Sequence, residues 1–196
     1  MDTESPEYAD RLVALESAWW KRLLPVQAPY RWNLRRQHLG RTLDIGCGVG
    51  RNLASLDAGS VGVDHNGASV KVARGRGHRA YTVEEFQESD EARPESFDGL
   101  LMAHVVEHMS PEAARQVLAQ YLPYLRRGGR LLLICPQERG YASDESHETF
   151  TSGPDLMALA RDMGLRPGRW RSFPLPRILG RLFTYNEFTV LATKPL

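Results

Sequence analysis

Leu43-Asp44-Ile45-Gly46-Cys47-Gly48-Val49-Gly50 is the stretch on which the fold turns. A short strand over residues 41–45 runs into three alternating glycines. Glycine permits a tight turn and lets backbone approach a ligand closely. Working outward, Ser60-Val61-Gly62-Val63-Asp64 reads as a second strand, and its closing acid falls twenty residues after Asp44. A carboxylate at that place can accept both hydroxyls of a ribose. A glycine-rich loop alone says little; the strand, the loop and the acid at the next strand end together point to a nucleoside-bearing ligand.

The rest of the chain keeps the same rhythm. Further strands are expected at 80–83, 97–103 and 130–135, the last apolar throughout as a central parallel strand should be. Helices are expected at 52–56, 68–74 and 154–163, and from Ser110-Pro111-Glu112 onward, with Pro123 as a kink and Gly128-Gly129 as the stop. Residues 169–173 and 187–193 could close the sheet. Before residue 38, the spacing of Leu12, Leu15, Trp19 and Leu23 predicts a helix over 5–24, and residues 30–38 a second with an arginine face of Arg31, Arg35 and Arg36. Strand and helix alternate as right-handed crossovers require, which predicts an α/β, doubly wound, mainly parallel sheet. Ligands of such sheets sit beyond the carboxyl ends of the strands.

Composition narrows the classes. The chain has 196 residues, 42% apolar and 25% charged, which suits a folded domain rather than a disordered one. A net charge of +1 argues against a dominant nucleic-acid surface. Two cysteines, Cys47 and Cys135, support neither a disulfide framework nor a four-cysteine zinc site. The acidic start, Asp2 to Glu7, is unlike a signal peptide, and no run is long and apolar enough for a bilayer. A cytoplasmic location is expected.

Two cofactors compete for the glycine loop. A dinucleotide site wants a third glycine where Arg51 stands, and no carboxylate near its pyrophosphate. S-adenosylmethionine carries an ammonium, a sulfonium and a ribose but no phosphate. Carboxylates at Asp44 and Asp64 suit it.

Three motifs in order, the loop 43–50, the segment from Phe97 to Met109 and the segment from Leu125 to Leu133, resemble those of class I S-adenosylmethionine-dependent methyltransferases of the small-molecule type. The resemblance spans about residues 38–193. It implies a Rossmann-like seven-stranded sheet with an antiparallel last strand in a three-layer αβα sandwich. Residues 1–37 would then be helices capping the acceptor pocket and 38–196 the cofactor-binding domain. It further implies that Asp44 and the loop of Gly46, Cys47, Gly48 and Gly50 hold the amino-acid end of S-adenosyl-L-methionine. Asp64 would bind the ribose and His65 would lie beside the adenine. Glu84 or Glu85 would meet the adenine amino group, and Ala103 would face the methionine moiety through its backbone.

Methyl transfer from a sulfonium needs alignment and exclusion of water, and a hydroxyl acceptor gains from a general base. His104, just after the fourth strand, and His147, in the polar loop after the fifth, are the catalytic candidates. Asp144 and His147 resemble an Asp-x-x-His element of methyltransferases that act on sugars and related small molecules. His108 is expected to be structural. His104, Glu107, His108 and His147 could surround a divalent metal, as a comparable cluster does in some small-RNA-end methyltransferases. His104 stands where that pattern wants a Glu, and no metal is expected. Tyr30 and Trp32 are candidates for the acceptor pocket, while Trp19 is expected in the core with Trp20 beside it. Residues 174–186, with Arg177, Arg181 and Tyr185, could form a second lid.

The expected function is methyl transfer to a small-molecule acceptor, at a hydroxyl oxygen, with no membrane or nucleic-acid partner and with a homodimer left open. The alternatives are an RNA or other nucleic-acid methyltransferase, and a non-catalytic S-adenosylmethionine-binding partner protein.

Overall fold

The computed structural model describes residues 27–196, which divide into two compact units. The helix expected at 5–24, with Trp19 and Trp20, lies outside the described residues.

The first unit ends at Ala92. Its first described element is helix α1 (Ala28–Arg35), which starts two residues earlier than its sequence pattern suggests, with a proline in its first turn. Strands β1 (Thr42–Ile45), β2 (Val61–Val63) and β3 (Ala80–Tyr81) follow. They pair in parallel, with Asp44 opposite Gly62 and Gly62 opposite Ala80. All four residues of β1 are buried. Helix α2 (Gly67–Gly75) crosses from β2 to β3, and Asn66 caps it by accepting from the backbone N–H groups of Ala68 and Ser69. Cys47, Leu53, Val70, Ala73 and Ala80 form a buried cluster between α2 and the strands.

Two expectations change here. The helix expected at 52–56 is only a single 3-10 turn at Leu53–Ser55, because Leu56 is already extended. Too few residues separate the glycine loop from β2 for helix propagation to repay its nucleation. The strand expected to reach 83 stops at Tyr81, because Thr82 caps helix α3 (Val83–Glu88). Its side chain accepts from Glu85 N–H while the Glu85 carboxylate accepts from Thr82 N–H.

The second unit runs Arg93–Leu196. Strand β4 (Phe97–Ala103) pairs in parallel with β5 (Leu125–Pro136), register Leu101↔Leu132. Helix α4 (Pro111–Tyr121) joins them. Ser110 caps it, as expected. It ends at Tyr121 in a 3-10 turn, so Pro123 lies beyond the helix rather than kinking it, and Gly128-Gly129 falls inside β5. After a short turn α5 (Glu138–Tyr141), helix α6 (Gly153–Asp162) leads to β6 (Arg166–Pro167), β7 (Arg171–Phe173) and β8 (Glu187–Thr193). β8 runs antiparallel to β5, and both β6 and β7 pair with β8. One closing strand is expected before β8; there are two, giving eight strands among the described residues in place of seven. Leu100, Leu101, Met102, Leu131, Leu132, Leu133 and Phe188 are almost wholly buried. No helix among the described residues is long and apolar enough to cross a membrane.

Candidate active site

The first unit carries an acidic glycine cradle. The backbone N–H groups of Gly46 and Cys47 donate to Val63 O at 2.8 and 3.1 Å, so the loop continues the β1–β2 pairing before it turns. Gly48, in left-handed backbone (φ 52°), donates its N–H to Asp64 Oδ2 at 2.7 Å. The other oxygen of Asp64 accepts from Asn66 N–H at 2.8 Å. Asp64 therefore fixes the loop as well as ending β2, and each oxygen keeps a lone pair for a hydroxyl. Asn66, which caps the next helix, is a contributor that the sequence pattern did not single out. His65 is half exposed beside Asp64, with Nδ1 3.6 Å from Oδ1.

Two of the loop residues serve the core through their side-chain positions. A Cβ on Gly50 would come within 2.7 Å of the His78 ring and 3.2 Å of Ala73 Cβ, so its bareness admits α2. The Cys47 side chain is buried, and burial pushes its thiol pKa up. Only the backbone of Cys47 is left to meet a ligand.

Asp44 is the unusual group. It is fully buried, and among the described residues neither carboxylate oxygen meets a partner in good hydrogen-bond geometry; only the Asn52 side chain comes near. Burial, then the charge of Asp64, pushes its pKa up to about 8, against the opposing pull of Arg51 and Asn52. A buried carboxyl without a partner is costly and normally persists where a ligand completes it. A cation is the complement it lacks, and the ammonium of S-adenosylmethionine is one. A pyrophosphate is the opposite. The donor set fits the expected cofactor.

At the end of β3, Glu85 is taken up by the cap and by Arg74, whose guanidinium holds it with contacts of 2.5 and 3.2 Å. The Arg74 hydrogen bond keeps its pKa below the usual range. Glu84 is exposed on the same turn.

The second unit carries a histidine–carboxylate cluster. Ala103 ends β4, buried, and His104 follows in left-handed backbone (φ 59°). His104 N–H continues the ladder to Ile134 O. Its ring lies between two acids, Nδ1 3.2 Å from Glu107 Oε1 and Nε2 2.8 Å from Glu187 Oε1. Burial alone would lower its pKa, but the hydrogen bonds and charges of Glu107 and Glu187 raise it to about 9. At neutral pH this ring is an imidazolium with no lone pair, so the expected base role at His104 does not suit its surroundings. Burial would raise the Glu107 pKa, yet the His104 contact brings it below the usual range. Cys135 Sγ donates to Glu107 Oε2 at 3.5 Å.

The loop after β5 is tied to this cluster. Glu148 and Thr149 N–H both donate to Glu107 O, at 2.8 and 3.1 Å. Asp144 Oδ1 accepts from Ser146 N–H and Oγ–H, at 3.0 and 2.7 Å. The His147 ring stacks on Tyr141, with centroids 5.4 Å apart, and meets His108 edge-on at 4.8 Å. Its Nδ1 lies 2.7 Å from Tyr141 O. A carbonyl can only accept, so Nδ1 carries the proton and Nε2 keeps the lone pair. Asp144 thus shapes the turn rather than pairing with the His147 ring. The Arg177 guanidinium pairs with Glu138 and lies over Phe188, so it is not held out for an anion. Around it Ile178 and Leu182 are more than three-quarters exposed. Trp32 is exposed under Arg36.

Comparison with known proteins bears on this geometry. Residues 43–133 match the family described as Methyltransferase domain, a span running from β1 into β5. No curated protein matches the sequence. Among solved structures, a S-adenosylmethionine-dependent methyltransferase from Archaeoglobus fulgidus aligns at TM-score 0.66 and 19% identity, over 84% of this chain and 93% of that one. A chain of the Haloferax volcanii complex between the Trm112 methyltransferase activator and its methyltransferase aligns at 0.70 and 18%, over 98% and 96%. Magnesium protoporphyrin IX methyltransferase from Synechocystis, solved with bound S-adenosylmethionine, aligns at 0.56 and 17%, over 96% and 79%. These likenesses show the Rossmann-like fold expected from the sequence. The segment 43–133 thus resembles a methyltransferase domain, and the fold is the one that S-adenosylmethionine-dependent methyltransferases of class I adopt.

Proposed function

We propose that the chain methylates a small-molecule acceptor at a hydroxyl oxygen, with His147 as the base. The observation that carries this reading is the His147 ring itself. Stacking on Tyr141 and the hydrogen bond to its carbonyl fix one tautomer and leave Nε2 as a free acceptor on the polar loop after β5. When bound, S-adenosylmethionine supplies a methyl group on a sulfonium sulfur that departs as a neutral thioether.

The chain's own residues have three tasks. Asp44 meets the ammonium, and Asp64 the ribose hydroxyls. The backbone of Gly46, Cys47 and Gly48 lines the turn between them, while His65 and Glu84 are left for the adenine side. His147 Nε2 takes the acceptor's hydroxyl proton as the oxygen forms its bond to carbon. His104, held as a cation by Glu107 and Glu187, positions the Glu107 carboxylate. A small acceptor fits the near-neutral net charge, and one structural neighbour acts on a porphyrin rather than a macromolecule.

Single-turnover transfer to hydroxylated metabolites, with wild type and His147→Ala compared, tests this. A fall of 10²-fold or more is expected for loss of a general base. An unchanged rate removes His147 from the chemistry. A labelled methyl group found only on nucleic acid would replace the acceptor class.

A further inference from the structure

We infer that Glu107, His108 and His147 form a binding site for a divalent transition-metal ion. Each offers a ligand atom, and the three atoms lie within 4.8 Å of one another. Three donors on one ion of zinc-like size stand about 3.4 Å apart, so ring rotations of about an ångström close the set.

The far sides of the two rings set them up as ligands rather than mere neighbours. His147 Nδ1 faces the carbonyl of Tyr141 at 2.7 Å. His108 Nδ1 faces the carbonyl of Ser146 at 3.1 Å. It also lies 3.3 Å from Ser146 Oγ, whose own proton is committed to Asp144. Every partner of both Nδ1 atoms is an acceptor, so both rings carry their proton on Nδ1. Both therefore keep the lone pair on Nε2, and no hydrogen bond among the described residues engages it. Metal-binding histidines are commonly fixed this way, by a backbone carbonyl on the second nitrogen. Two edge-to-face histidines with the same tautomer and no partner for either lone pair among the described residues are hard to explain as packing alone.

The third ligand is prepared in the same manner. Glu107 is buried and oriented from behind by His104, which Glu187 holds in turn. The two amides of Glu148 and Thr149 lock the His147 loop onto Glu107 O. Two imidazoles and one carboxylate suit Zn²⁺, Mn²⁺, Fe²⁺ or Co²⁺ better than Mg²⁺ or Ca²⁺. Three protein ligands leave open positions, the mark of a site that also takes a substrate atom. His104 is outside the set, because both its nitrogens are already committed to carboxylates.

What the ion would do rests on the hydroxyl-acceptor reading and would take the place of His147 as its base. With His147 as a ligand, the ion would supply the acidification of the acceptor hydroxyl, whose proton would pass to water.

Binding is tested without cofactor or acceptor. Full-length protein stripped with chelator is titrated with Co²⁺, following visible d–d absorption, and Zn²⁺ is used to compete. One Co²⁺ per chain is expected, displaced by Zn²⁺, with affinity reduced at least tenfold in His108→Ala and again in His147→Ala. Both histidines are half-buried, so these variants should fold, and a thermal melt checks it. Glu107→Gln is added where it folds. A folded wild type that binds neither ion at 100 µM overturns the site. So does binding that both histidine variants retain. If no ion binds yet His147→Ala still abolishes transfer, the inference fails and the base reading stands. If the ion binds and no hydroxyl acceptor is found, the site stands and the acceptor class falls.

Discussion

Asp44 is where the chain's chemistry and its stability meet. Its carboxyl has a pKa of about 8 in the free protein, so at pH 7 it is mostly protonated. An ammonium placed against it favours the anion. Cofactor binding at pH 7 should therefore expel close to one proton. Calorimetry in two buffers of different ionisation enthalpy measures this directly. Wild type should show the proton release; Asp44→Asn should show none, with affinity down at least tenfold. Release undiminished in the variant would assign the proton to another group. Asp64 makes a companion case. Asp64→Ala removes the acceptor for Gly48 N–H as well as the carboxylate proposed for the ribose, so a drop of about 100-fold in cofactor affinity is expected by the same method, two free-energy steps of about 1.4 kcal/mol.

At the scale of elements, small contacts set the geometry of the cradle. Gly62 lies in the middle of β2, where a Cβ would reach 2.6 Å from Cys47 Sγ and 2.8 Å from Leu53 Cδ1. The strand must be bare there for the glycine loop to pack down. Gly62→Ala should cost about 1–3 kcal/mol by overpacking, seen as a lower urea midpoint with the slope unchanged. The elements also show what a sequence reveals. The loop 43–50 and Asp64 were legible because they are contiguous and their residue types are forced by backbone. Thr82-Val83-Glu84-Glu85 was legible in principle, since a Thr with a Glu three residues later is a capping signature; an apolar-aromatic pair before it drew the reading toward a longer strand. Glu187 was not legible at all. It meets His104 across 83 residues through the β5–β8 pairing, and no local pattern announces such a contact. The tautomers of His108 and His147 were equally hidden, because backbone carbonyls set them.

For the whole molecule, the raised Asp44 pKa carries a sign. Unfolded, the carboxyl titrates near 3.8; folded, near 8. Between these values the folded state holds more protons than the unfolded one, so this group makes stability fall as pH rises from about 4 to 8. Chemical denaturation across that range should show the decline, and Asp44→Asn should flatten it and raise stability at pH 8. A wild-type profile as flat as the variant's would contradict the buried, unpaired carboxyl. The fold class itself followed from the alternation of strands and helices, whereas the extra strand β6 did not. Two residues, Arg166 and Pro167, carry no pattern that could be read.

The chain's two thiols give a further handle. Cys47 lies within the first unit and Cys135 within the second, and both are free and buried. A maleimide or iodoacetamide reagent reaches either sulfur only when its surroundings open. Mass-resolved alkylation kinetics under native conditions would therefore time the breathing of each half separately, with no added label. Slowing at Cys47 alone upon addition of S-adenosylmethionine would report that the ligand had tightened the half that contains the glycine turn.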